Sequence, residues 1–161
     1  MDFELSVKGY SFIAGILYHF DELFAIIIAS NGHAPKENYK KNYSFEDDDS
    51  VISAPCYFHE NGKMIRAGWS KRCIFRGIDC NVNLYLVIAC IFAAGFDGIQ
   101  KNYKLDNLID KNYGIASSTT AEKMHKLENN NLFNEFLGTS IIKLLKEKLL
   151  IIINKGENNA K

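Results

Sequence analysis

From residue 84 to residue 96 the chain runs L-Y-L-V-I-A-C-I-F-A-A-G-F without one charged side chain. As a helix such a run has no hydrophilic side to turn to water, so it needs neighbours all round. It is shorter than the roughly 20 residues that cross a bilayer. Asp79, Asn81 and Asn83 offer N-cap oxygens just ahead of it, and Gly95 or Gly98 can end it. The expectation is a buried helix, and the rest of the chain has to supply its cover.

That cover is sought in two further helices. Apolar residues at Phe12, Ile13, Ile16, Leu17, Phe20, Leu23, Phe24 and Ile27 form one helical stripe, predicting a helix over 12–27. Phe133, Phe136, Leu137, Ile141, Leu144, Leu145 and Leu149 repeat the spacing and predict a last helix over 133–153, followed by a frayed polar tail at 154–161. Thr119 with Glu122 three residues on makes a capping box for a short helix before it. Between the outer helices lie short runs at 51–58, 63–68 and 70–75. Asn61-Gly62 stands between the first two, and its preference for positive φ predicts an antiparallel hairpin with a third strand after it. Residues 31–50 are polar and read as a long loop, and 106–118 as an irregular connector. The fold class expected is α+β, short antiparallel strands flanked by helices, in a single domain over 1–161.

Charge and cysteine content remove several function classes. Lys plus Arg and Asp plus Glu both number 19, so no net field draws the chain to nucleic acid or to an anionic membrane. The four cysteines form no C-x-x-C pair, and the four histidines show no metal-ligand spacing, so no metal ligands are assigned. His19, Asp21 and Glu22 interrupt the first apolar stretch, which is wrong for a signal peptide, and a cytoplasmic location is expected. What remains is local: Arg66, Arg72 and Arg76 lie in or beside predicted strand. In a strand, Arg72, Ile74 and Arg76 share a face, and two guanidinium forks on one face suit a phosphate or carboxylate. Paired surface arginines are common, so this reading competes with one of plain solvated charge.

The stretch R-C-I-F-R-G-I-D-C-N-V-N-L-Y-L at 72–86 resembles the glutamine synthetase signature R-x-E-x-R-x-x-D-x-x-x-N-P-Y-L, and the apolar helix after it ends A-G-F-D-G-I where the family has A-G-L-D-G-I. F-I-A-G-I-L-Y-H-F-D-E-L at 12–23 is similar to the family's F-x-A-G-L-L-x-H-x-x-x-L, and E-N-Y-K-K at 37–41 to its N-S-Y-K-R. The resemblance covers roughly residues 9 to 150 and implies a partial glutamine synthetase catalytic domain. In that family ATP, with Mg2+ or Mn2+, phosphorylates the γ-carboxylate of glutamate, and ammonia displaces the phosphate to give glutamine. Carried over by position, Arg66 and Arg72 would contact nucleotide phosphate, while Arg76 and Lys41 would contact substrate carboxylate. Glu46 or Asp47 would be the flap acid that takes a proton from ammonium.

Three positions depart from the family. Ile74 replaces a metal-binding glutamate and offers no oxygen to a cation. Asn61 falls where another arginine is expected, and Leu84 replaces the proline of N-P-Y-L. The family's other metal glutamates and its histidine belong to sequence before the matched part. ATP and metal are therefore implied by the family only, and weak binding and no activity are expected of the chain alone. The partners expected are glutamate and ammonia, with either a homo-oligomer or an upstream glutamine synthetase fragment. The alternative is a non-catalytic protein that keeps the fold for oligomer contacts or anion binding, or a ligase fragment for another amine.

Overall fold

In this computed structural model, residues 5–31, 81–104 and 119–155 are described with their side chains, and residues 52–55, 63–68, 72–75 and 156–159 by backbone alone. The elements are α1 (Val7–Tyr18), α2 (Phe20–Asn31), β1 (Ile52–Pro55), β2 (Lys63–Gly68), β3 (Arg72–Phe75), α3 (Leu84–Gln100), α4 (Thr120–Glu128), α5 (Asn131–Leu137) and α6 (Thr139–Asn159). α1 packs chiefly on α3, α2 on α4 and α6, and α6 also on α4 and α5. The apolar centre is drawn from all of these helices: Ile13, Leu17, Leu23, Phe24, Cys90, Leu127, Phe133 and Leu149 are fully buried. A buried side chain of this size contributes about 1.5–3 kcal/mol.

The expected α+β class is corrected by this arrangement. The residues with described side chains are 84% helical and include no strand, so the described core is helix on helix. Backbone pairing is present in three short segments, in the order β1-β2-β3 and antiparallel throughout. These segments do not define the class. The composition carries both kinds of pattern, but only the helices contribute to the described core.

The predicted helix over 12–27 is two helices. α1 and α2 meet at His19 with a bend of 64°. Both helices bury apolar residues up to the break, so the apolar spacing runs on across it and does not show it. No single described helix is long and apolar enough to cross a membrane. The bent pair would pass by length and composition together, but its residues are mostly buried in the core. The predicted last helix is also two, α5 and α6. They are separated at Gly138, whose φ of 81° lies in the left-handed region that a side chain disfavours. The predicted capping box forms as read: Thr119 Oγ1 accepts from the Glu122 backbone N–H at 3.2 Å, and the Glu122 carboxylate accepts from the Thr119 N–H at 2.6 Å.

α3 departs most from its sequence reading. It is capped by Asn83, whose side chain accepts from the Leu86 N–H at 3.2 Å, but neither Gly95 nor Gly98 ends it. The helix runs to Gln100 and closes on Asn102, in left-handed conformation at φ 52°, with Tyr103 N–H donating to Gly98 O and Asn102 N–H to Ile99 O. Nor is α3 enclosed. Val87, Cys90 and Ala94 are buried, while Tyr85, Phe92 and Phe96 are 90%, 50% and 59% exposed.

The two glycines serve contact instead. A Cβ on Gly15 would lie 2.8 Å from both Cα and N of Gly98, and one on Gly98 would lie 2.6 Å from Cα and N of Gly15. The backbones of α1 and α3 therefore touch, and only hydrogen fits between them. Beside this contact Phe12 packs edge-on against Phe92 and Phe96, with ring centroids 5.9 Å apart in each case. We expect Gly15→Ala and Gly98→Ala each to lower stability by about 1–3 kcal/mol or more through forced separation of the helices. Urea unfolding followed by circular dichroism would show this as a lower midpoint, and an unchanged midpoint would disprove the close contact.

Candidate functional site

The candidate anion site lies on the paired strands. Arg66 stands in β2 and Arg72 opens β3. The register sets Arg66 opposite Ile74 on one side and Ser53 on the other, and Gly68 opposite Arg72. Arg66, Ile74 and Arg72 thus occupy positions of one parity, and rungs of the same parity share a face. Position 74 is therefore beside position 66 in the ladder. Lys41, Glu46, Asp47 and Arg76 lie outside the described residues, as does Asn61. The donor types at 66 and 72 fit nucleotide phosphate, since guanidinium forks match its oxygens. Isoleucine at 74 does not fit a divalent cation, which takes oxygen ligands. Among the described residues no three His, Cys, Asp or Glu side chains converge on a point.

The side chains that the helices do bring together form a buried polar network. His19 sits at the α1/α2 bend and Asp97 on the last full turns of α3, and they are 3% and 7% exposed. Asn130 Nδ2 donates to His19 Nδ1 at 3.1 Å and to Glu22 Oε1 at 2.9 Å, while Asn130 Oδ1 accepts from the Phe133 N–H at 3.2 Å as the N-cap of α5. With Nδ1 accepting, the imidazole proton is on Nε2, which donates to Asp97 Oδ2 at 2.9 Å. Lys101 Nζ lies 2.9 Å from the other carboxylate oxygen. Burial pushes the Asp97 carboxyl up, but the hydrogen bonds from His19 and Lys101 outweigh it, and the group titrates below its ordinary 3.8. The Lys101 ammonium is held upward chiefly by its hydrogen bond to Asp97.

These residues bear on the sequence motifs. His19 closes the F-I-A-G-I-L-Y-H piece, which contains Gly15, and Asp97 and Gly98 are neighbours in the A-G-F-D-G-I piece. Sequence reasoning noted His19 only as an interruption of the first apolar stretch and did not pair it with Asp97. The signal was their joint presence in the two matched segments. Asn83, the asparagine of the N-x-Y-L piece, caps α3, and its backbone N–H donates to Ser30 Oγ at 2.6 Å. Leu84 holds the first helical position, which suits proline but does not demand it. Cys90 is a core thiol, and burial pushes it up to about 12, so it is unreactive.

Residues 1–145 match the family described as glutamine synthetase, catalytic domain. The chain belongs to the glutamine synthetase family.

The network has a pH signature. Because the folded Asp97 titrates below its unfolded value, its stabilisation is fully present above the unfolded carboxyl value and is lost as pH falls through the folded one. We expect stability to fall below pH 3.8 in wild type and this part of the slope to vanish in Asp97→Asn. Asp97→Ala, which leaves His19 and Lys101 without their acceptor, should cost about 3–5 kcal/mol. Urea midpoints measured across the acid range check both expectations.

Proposed function

We propose that residues 63–76 of this glutamine synthetase homologue form an anion-binding strip for nucleotide phosphate and substrate carboxylate. The observation that carries the reading is the β2/β3 register, which sets Arg66 and Arg72 on neighbouring rungs of one parity, with Ile74 opposite Arg66. On the family's pattern, Arg66 and Arg72 hold ATP phosphate, while Arg76 and Lys41 hold the carboxylate of glutamate. The reaction needs a γ-carboxylate oxygen to attack the terminal phosphorus with ADP leaving, and ammonia nitrogen then to attack the acyl carbon with phosphate leaving. The arginines bind and orient both anions and offset charge on the transferred group. Glu46 or Asp47 accepts the proton that ammonium must lose.

The family's Mg2+ or Mn2+ would supply further charge neutralisation, and position 74 does not provide for it. This favours a second reading, in which the strip binds anions without ligating ammonia. The two readings share the arginines and part at Ile74. Glutamine formation is the measurement that separates them.

Three outcomes are expected for the full chain. Isothermal titration should detect ATP binding that Arg72→Ala weakens at least roughly tenfold, the worth of one charge-assisted contact. Binding unchanged in that variant would remove the strip assignment. Glutamine formation from ATP, glutamate and ammonia with magnesium should stay at the blank, and product lost on Arg76→Ala would instead establish a working ligase. Ile74→Glu should raise Mn2+ affinity, since it restores an oxygen ligand beside the phosphate-binding positions. A folded variant with no gain would count against the site.

A further inference from the structure

His19 is buried, carries a ring that can take a second proton, and has no part in the anion strip. The orientation of the Asn130 amide beside it is set by the other two partners of that amide: Oδ1 accepts the Phe133 N–H, and Nδ2 donates to Glu22 Oε1. Turned over, the amide would set nitrogen against the Phe133 N–H and oxygen against the Glu22 carboxylate, two contacts of like with like. Nδ1 of His19 therefore meets an N–H, and it accepts. Nε2 is already engaged with Asp97. A second proton on the imidazole has one place to go, Nδ1, where it would face the Asn130 N–H, donor against donor.

Glu22 is the carboxylate placed to answer that proton. The Leu23 N–H donates to His19 O at 3.0 Å, so His19 opens the first turn of α2, and Glu22 stands three residues on in the same turn. The Asn130 nitrogen that lies 3.1 Å from Nδ1 also lies 2.9 Å from Glu22 Oε1, so imidazole and carboxylate are one bridging group apart. The other ionisable groups around the ring are engaged elsewhere. Tyr18 of α1 lies edge-on to it, with centroids 5.0 Å apart, and packs on Tyr103. From α3, Asp97 is shared between Nε2 and Lys101. Asp21 of α2 is bonded to Lys126 of α4. α5 presents the edge-on ring of Phe133, with centroids 5.7 Å apart.

We propose that His19 is a proton-operated latch on α5: protonation at Nδ1 moves its bond from Asn130 to Glu22 and takes the Asn130 cap away from the Phe133 N–H. The proton comes from solvent, and the only covalent bond formed is the new N–H. Asn130 then loses both acceptors of its Nδ2 at once, and with them the bonds that hold its Oδ1 over the start of α5. The bond from Nε2 to Asp97 is made in both states and gains charge in the second, so α1 stays fastened to α3 while α5 is let go. Histidine suits the task because it is the side chain whose charge ordinarily changes between about pH 5 and 8. The inference stands on the donors and acceptors around Asn130 and does not depend on what the arginines bind.

Nuclear magnetic resonance on the isotope-labelled full chain follows both ends of the latch. Long-range proton–nitrogen spectra monitor the His19 ring, and amide exchange monitors the Phe133 N–H, from about pH 8 down to about pH 5. That range stays above the titration of Asp97. Protection of the Phe133 N–H, corrected for its intrinsic exchange rate, should fall by roughly fivefold or more with the midpoint of the Nδ1 titration. The Leu86 N–H, capped by Asn83, should keep its protection throughout. Glu22→Gln keeps an acceptor for Asn130 but removes the charge, and should lower the His19 midpoint by about one pH unit or more. Phe133 protection that stays constant through the His19 titration, or falls with a different midpoint, overturns the latch. So does a His19 ring that stays neutral across the range, or an unchanged midpoint in Glu22→Gln. Should that variant fail to fold, the two midpoints in the unaltered chain decide alone.

Discussion

Everything in the helical body follows from the contact between Gly15 and Gly98. Two helices normally lie 8–10 Å apart because side chains keep them there. Here neither helix has a side chain at the crossing, so α1 and α3 meet backbone to backbone, and the surrounding residues adopt positions that no wider spacing would allow. Phe12 reaches across to Phe92 and Phe96. His19, one turn beyond Gly15, comes within hydrogen-bond distance of Asp97, the neighbour of Gly98. Dispersion contacts at the crossing and the buried His19–Asp97 hydrogen bond next to it are thus one structural unit, set by the absence of two Cβ atoms.

The polar part of that unit binds the rest of the bundle. A buried carboxylate is costly unless its oxygens are all engaged. Asp97 meets the condition with His19 and Lys101, and His19 meets its own by accepting from Asn130. Asn130 then caps α5 and donates to Glu22. The chain of bonds runs from the end of α3 through the α1/α2 bend to the start of α5. It fixes the direction of three helix ends in a way that apolar packing, which is non-directional, does not. Outside the network, Lys126 to Asp21 and Lys146 to Glu128 tie α4 to its neighbours at the surface, where such pairs add little.

The sequence showed the helices because their apolar stripes are long, and the capping box because its two residues are local. It did not show the breaks at His19 and Gly138. The first is imposed by a partner 78 residues away, and the second leaves the apolar spacing intact. The enclosure expected of α3 failed for a different reason: an apolar run predicts that cover is needed, not that the neighbouring helices provide it. The glycines of α3 were taken as stops because glycine commonly ends helices. Their use here as contact surface depends on a second glycine in α1, which only the three-dimensional pairing reveals. At the arginine strip the strand parity of Arg72 and Ile74 was legible, whereas the position of Arg66 beside them needed the register.

The hydrogen bond from Asn83 to Ser30 makes the excursion between α2 and α3 a closed loop with respect to the bundle. The entropy of closing such a loop grows only logarithmically with its length, so each doubling adds about 0.6 kcal/mol. Natural selection can therefore lengthen, shorten or rewrite the segment at small expense to the helices. The segment between these two pinned ends is thermodynamically tolerant in this sense, while Gly15, His19, Asp97 and Gly98 fall where a single atom matters. A family member built this way can drift in its chemistry long before it drifts in its architecture.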